Sequence, residues 1–193
     1  MSKFNKPKYH QHFISLKSCP LSANGSGKLE KDYFYWEFDV KPSDFSRIYK
    51  VLFIWDFNKI APRVYILNSE VQKVAKERNI PHLYSQEEVQ LCLYYPSYNE
   101  FSHSMSLCET FIPWTYWWIA YYEEWLFSGE WKGGGIHPEI EKKDKRVSPL
   151  KKIKVGKKIL KKKKPKKSLV DKVYERRKKN YIKSQLRTTK TIE

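Results

Sequence analysis

Two residues stand out for their chemistry: Cys92, in the run Leu91-Cys92-Leu93-Tyr94, and His82, ten positions earlier in Pro81-His82-Leu83-Tyr84. A thiol is well suited to carrying an acyl group. It accepts the group as a thioester and passes it to an amine or a second thiol, dividing one difficult step into two easier ones. Flanked by leucines, Cys92 equally fits a small buried hydrophobe, and the neighbouring residues alone leave both readings open. His82 fits a loop imidazole that shapes the backbone around Cys92, the preferred reading, or a general base. Tyr94 and Tyr95 are near enough to shield a thioester from water, but tyrosines in so aromatic a chain mostly pack, and neither is given a catalytic role. Cys19 and Cys108 read as structural or incidental.

Other motifs carry less. Gly133–Gly135 lack a following Gly-Lys-Ser/Thr and come after a helix instead of opening one, so they form a turn that lets Trp131 pack back rather than a phosphate loop. His137 with His82 or His103 shows no ligand spacing and there is no CxxC pair, so neither a metal nor a cofactor is expected. Three cysteines in 193 residues do not make a disulfide scaffold and fit a reducing cytoplasm. Met1–Ser15 lack the apolar run of a signal peptide. The stretch Trp114–Leu126 is too short to span a bilayer and carries Glu123 and Glu124, so no membrane association is expected.

The elements that must position Cys92 follow from periodicity. In Tyr33–Val40, Phe34, Trp36, Phe38 and Val40 alternate with Tyr35, Glu37 and Asp39, the pattern of a half-buried strand. Tyr49–Phe57 and Arg63–Leu67 predict two further strands, joined through Pro42-Ser43-Asp44 and Asn58–Pro62 into an antiparallel meander. Asn68 or Ser69 caps a short helix with Val71, Val74 and Ala75 on one face, ended by Asn79 and Pro81. Ile80–Pro96 reads as an ordered loop crossing the surface, because of the prolines at its two ends. Trp114, Trp117, Trp118, Tyr121, Trp125 and Leu126 recur at helical spacing between Pro113 and Gly129 and predict a long helix. Ser22–Lys28 has the composition of a turn or linker, with the ordered domain beginning after it.

The formal net charge of +17 is localised. Residues 141–193 hold 23 Lys and Arg against 5 Asp and Glu, net +18, and residues 1–140 hold 15 against 16, net −1. The folded part is therefore nearly neutral, which counts against a nucleic-acid-binding protein built on an unrelated aromatic domain. The chain divides into an N-terminal segment 1–30, a domain 31–140 and a Lys-rich tail 141–193. With few apolar side chains and strong self-repulsion the tail is expected to be disordered, with Leu169–Leu186 able to become helical against a partner. As a polycation it is expected to bind nucleic acid non-specifically.

The order of these features resembles the ubiquitin-conjugating enzyme fold: a meander, Pro-Arg-Val-Tyr-Ile at 62–66, a loop holding His82 and Cys92-Leu93, then Pro113-Trp114 opening an aromatic helix. In that family a His-Pro-Asn segment precedes a Cys-Leu nucleophile by about ten positions. The resemblance is closer to a bacterial branch found in antiphage operons of the cyclic-oligonucleotide (CBASS) type. It is carried by Pro81–Tyr84, Leu91–Tyr94, Pro113–Thr115, Tyr121–Glu123 and Gly129–His137, over about residues 31–138. Glu100-Phe101 stands where that branch often has Glu-Trp. The family Asn, which helps hold the loop and stabilise the oxyanion, falls here on Tyr84.

The resemblance implies an α+β, ubiquitin-conjugating-enzyme-like fold with Cys92 as thioester-forming nucleophile and His82 beside it. It implies an acyl carrier that takes the C-terminal carboxyl of a partner, a cGAS/DncV-like nucleotidyltransferase, and delivers it to an amine in antiphage defence. Activation of that carboxyl is expected to come from elsewhere. The alternative is a catalytically inactive member of the fold, a binding module whose basic tail holds nucleic acid or a partner protein. Loss of the Asn favours that alternative mildly.

Overall fold

The alternation in Tyr33–Val40 becomes a strand with Phe34, Trp36, Phe38 and Val40 buried and the intervening side chains half-buried. The computed structural model describes residues 6–134 and 168–190. In chain order these form α1 (Lys6–Ser18), β1 (Ser26–Leu29), β2 (Tyr33–Val40), β3 (Tyr49–Asp56), β4 (Arg63–Ile66), α2 (Ser69–Glu77), β5 (Leu83–Ser85), β6 (Gln90–Leu91), α3 (Phe111–Ser128) and α4 (Leu169–Lys190). The strands make one antiparallel sheet in the order β1-β2-β3-β4-β6-β5. The arrangement is α+β, with the expected meander at its centre. Among the described residues no helix is long and apolar enough to cross a membrane.

One face of the sheet carries the main core, in which Phe34, Phe53, Trp55, Val64 and Ile66 meet Leu16 of α1, Val71 of α2, and Phe111, Trp118, Ile119 and Tyr122 of α3. The helix α3 ends where Gly129, at φ 77°, turns left-handed and donates its N–H to the Trp125 carbonyl at 2.9 Å. The side chain of Asn68 does not cap α2. Its Oδ1 accepts the Lys50 N–H at 2.7 Å and its Nδ2 donates to the Ile48 carbonyl at 3.1 Å, tying α2 to the sheet instead.

Order begins earlier in the chain than the glycines of 22–28 suggest. Gly27 lies within β1, where a Cβ would come 2.0 Å from the Tyr35 carbonyl and 2.7 Å from the Trp36 ring. Here glycine serves close approach rather than flexibility. Before it, α1 buries Tyr9, His12 and Leu16 along one side, with Tyr9 stacked 3.9 Å from Phe57. Cys19 forms a disulfide with Cys108, across 89 positions of sequence, so two of the three cysteines are paired. Sequence spacing alone gave no sign of that proximity. The prolines that bound Ile80–Pro96 lie outside β5 and β6, so this segment adds two short strands, with β5 at the sheet edge, where a loop was expected.

The largest correction concerns the tail. Leu169–Lys190 is helical and lies on the second face of the sheet, where Val170, Val173 and Tyr174 bury against Leu52, Ile54, Tyr65 and Leu67. The apolar positions are few, but they fall at i, i+3 and i+4 and meet a ready apolar face. Each such buried side chain contributes roughly 1.5–3 kcal/mol, an upper estimate. Arg177 closes the contact, forked onto the Glu37 carboxylate and with its guanidinium carbon 4.7 Å from the centre of the Tyr35 ring. The expected boundary at 140/141 and the disorder expected for 141–167 lie outside the described residues.

Replacing Tyr174 by Ala should cost about 3 kcal/mol and lower Tm by about 6–12 °C in a chain of this size. Calorimetry of the full chain checks this; an unchanged Tm would mean that α4 is not docked.

Candidate functional site

The β5–β6 hairpin carries the site. It hangs from the sheet by one pairing, Tyr65 with Gln90, and Cys92 follows immediately after β6. Among the described residues three non-glycine positions hold positive φ, and all lie around this segment: His82 at 52°, Val89 at 50° and Asn99 at 52°. For a β-branched residue this conformation is costly, and it persists only where the surroundings dictate it. Val89 is fully buried and its carbonyl accepts the Ile66 N–H at 3.2 Å.

The pivotal atom is the backbone oxygen of His82. It accepts the Cys92 N–H at 3.0 Å and the Trp118 indole N–H at 2.8 Å, so α3 and the Cys92 loop share one acceptor. His82 is buried, with 7% of its surface exposed, and its ring centroid lies 5.1 Å from that of Trp131. Trp131 packs back against Trp118 and Tyr121. Gly133 allows this, since a Cβ there would come 2.6 Å from the Trp131 nitrogen.

Cys92 is the free cysteine, with 8% of its surface exposed. Two cavities meet at it. One of about 140 Å³ is aromatic, lined by Trp114, Trp117, Trp118, Tyr121 and Trp131. The other, of about 300 Å³, is bounded by Tyr94, Tyr95, Tyr98 and Glu100; both also include His82, Leu93 and Gly134. Glu100 fixes its own loop by accepting the Tyr95 N–H at 2.7 Å. Burial pushes the thiol pKa up and the Glu100 charge adds to this, while a hydrogen bond with the Tyr84 hydroxyl opposes them. The Tyr84 hydroxyl also donates to the Tyr94 carbonyl at 2.7 Å.

The structure thus brings Cys92, His82, Tyr84, Tyr94 and Tyr95 together, with Trp114 from the helix opening. Glu123, part of the Tyr-Tyr-Glu motif, is elsewhere: its carboxylate accepts hydrogen bonds from Ser46 at 2.6 Å and Tyr49 at 2.9 Å and holds the β2–β3 turn. His137 lies outside the described residues. Among the described residues no three His, Cys, Asp or Glu gather as a metal would require. Trp118, Glu100 and Tyr84 were not assigned roles from sequence. Nothing local marks Trp118 among the other tryptophans of α3, whereas Tyr84 was visible as the residue at the Asn position.

An isolated thiol presented this way, at the edge of an antiparallel sheet and beneath a long helix, is the central feature of an E2-like α+β domain. The sequence pattern of the type II CBASS E2 proteins matches residues 15–138, well over half of the chain, and the chain belongs to that family. No curated protein matches it. The match takes in the end of α1 and β1, beyond the 31–138 expected, and α4 lies outside it. Membership gives the chain an E2-like role in CBASS antiphage defence and a partner within the CBASS operon.

Because the fold favours the neutral thiol, the stability this contributes is complete below the ordinary thiol pKa of about 8.5 and is lost as pH rises through the higher folded value. In the absence of reductant, Ellman's reagent should find one thiol per denatured chain and react slowly with native protein at pH 7, faster as pH rises. Three thiols in the denatured chain would contradict the Cys19–Cys108 pairing. Replacing Trp118 by Phe removes one of the two donors to the His82 carbonyl, costs about 0.5–1.5 kcal/mol, and should speed native labelling of Cys92.

Proposed function

We propose that the protein is a ubiquitin-conjugating-like acyl carrier in which Cys92 forms a thioester with the C-terminus of a partner protein and delivers it to an amine. The observation that carries this is the isolation of the thiol: Cys19 and Cys108 are tied to each other, and Cys92 stands free where two cavities meet. The partner chemistry is a C-terminal carboxyl already activated as an acyl adenylate or a thioester. The Cys92 thiolate attacks its carbonyl carbon, the C–S bond forms, and AMP or the departing thiolate leaves with the electron pair. An amine then attacks the thioester, the C–N bond forms, sulfur leaves as thiolate, and the amine proton passes to solvent. A cGAS/DncV-like nucleotidyltransferase is the partner that membership of this family favours.

His82 in this scheme is a positioning residue. Its carbonyl sets the Cys92 backbone, and its buried ring supports the aromatic wall. A second reading, an inactive binding module on the same fold, draws support from the burial that raises the thiol pKa. The exposed cations of α4, Lys172, Arg176, Lys179 and Lys183, suit weak, salt-sensitive contact with nucleic acid in either case.

Co-expression with the neighbouring operon proteins, followed by non-reducing and reducing electrophoresis, separates the two readings. Wild type should show a thiol-labile adduct, Cys92→Ala none, and Cys92→Lys an adduct stable to thiols. A partner that still binds while no variant forms an adduct would favour the inactive module.

A further inference from the structure

We propose that Tyr84 is a catalytic residue of the Cys92 site, its hydroxyl donating first to the thiolate and then to the oxyanion that forms when the thioester is attacked. This rests on the acyl-carrier reading of Cys92. The Tyr84 hydroxyl donates to the Tyr94 carbonyl at 2.7 Å, and the Cys92 S–H is directed at the same carbonyl oxygen, with Sγ at 4.0 Å. Phenol and thiol thus converge on one acceptor. While Cys92 is a thiol, its S–H shares that carbonyl with the phenol proton. Once the sulfur is ionised, rotation about the C–O bond turns that proton to S⁻ with the ring unmoved.

The reacting carbonyl carbon is bonded directly to Sγ, so its oxygen develops charge within reach of the same hydroxyl. The proton stays on Tyr84 throughout, and charge is stabilised without being transferred. Two nearby backbone donors are committed elsewhere, the Cys92 N–H to the His82 carbonyl and the Tyr95 N–H to Glu100. The titratable groups that line the larger cavity at Cys92 with it are His82, Tyr94, Tyr95, Tyr98 and Glu100; Tyr84 lines the adjoining cavity on the other side of Leu93 and Tyr94. Glu100 acts against the thiolate, and Tyr84 acts for it. The Tyr84 side chain rises from β5 with 40% of its surface exposed and is not among the buried core residues, so its substitution leaves the core intact.

The full chain carrying Tyr84→Phe keeps the ring and loses the donor. Alkylation of Cys92 by iodoacetamide should then show its pH midpoint raised by about one unit, a tenfold loss of thiolate below it. An acetyl group placed on Cys92 from S-phenyl thioacetate should discharge to hydroxylamine about 100-fold more slowly, the loss usual for one oxyanion donor. Tyr84→Gln, which retains a donor without the ring, should fall between the two. Unchanged midpoint and discharge in Tyr84→Phe, or equal loss in Phe and Gln, would overturn the assignment. Because these probes need no partner, they separate from the adduct test: no partner adduct in wild type alongside an intact Tyr84 effect would sink the acyl-carrier reading instead.

Discussion

The carbonyl oxygen of His82 accepts two hydrogen bonds, one from the N–H of Cys92 and one from the indole of Trp118. Through that atom the loop that presents the thiol is fixed to the longest helix over the main core. Both donors are buried, so losing either bond leaves an unsatisfied polar group rather than a hydrated one. The positive φ of His82 is the local cost of aiming its carbonyl at both donors. Aromatic mass around this point, with Trp118, Trp131 and Tyr121 in contact, keeps water from competing for it. The chemistry proposed for Cys92 depends on this arrangement, since a thiol on a mobile loop would have neither a fixed partner hydroxyl nor a defined approach for an amine.

The second face of the sheet reaches the same site from behind. The hydroxyl of Tyr174 in α4 donates to the Glu88 carbonyl at 2.9 Å, and its ring lies 4.7 Å from that of Tyr65. Glu88 precedes Val89 at the turn into β6, so the helix supports the hairpin whose next residues are Leu91 and Cys92. A segment rich in lysine thus becomes structural where three apolar side chains meet a matching face, Arg177 pairs with Glu37, and Lys172, Arg176, Lys179 and Lys183 stay exposed.

The meander, α2 and α3 were legible because their patterning is strong: β2 alternates cleanly, and the tryptophans of α3 recur at helical spacing between a proline and a glycine. That Cys92 and His82 stand together was expected through the resemblance, because Cys92 between two leucines reads by itself as core. What stayed hidden is non-local. The disulfide joins residues 89 positions apart, and β1 hid behind glycines chosen for space. The docking of α4 did leave a trace in β3, where Val51 to Trp55 are apolar without alternation and are all fully buried. A strand of that kind needs cover on both faces, and only one cover was assigned from sequence.

Attachment of the partner at Cys92 is tested most directly by peptide mapping of the complete chain, isolated under acidic, non-reducing conditions from cells expressing its operon neighbours. A partner C-terminal peptide joined to the Cys92 peptide with loss of one water, and released by hydroxylamine, is the predicted result. A chain whose Cys92 peptide is unmodified while the partner is joined through a lysine of the tail, or through nothing at all, would contradict it.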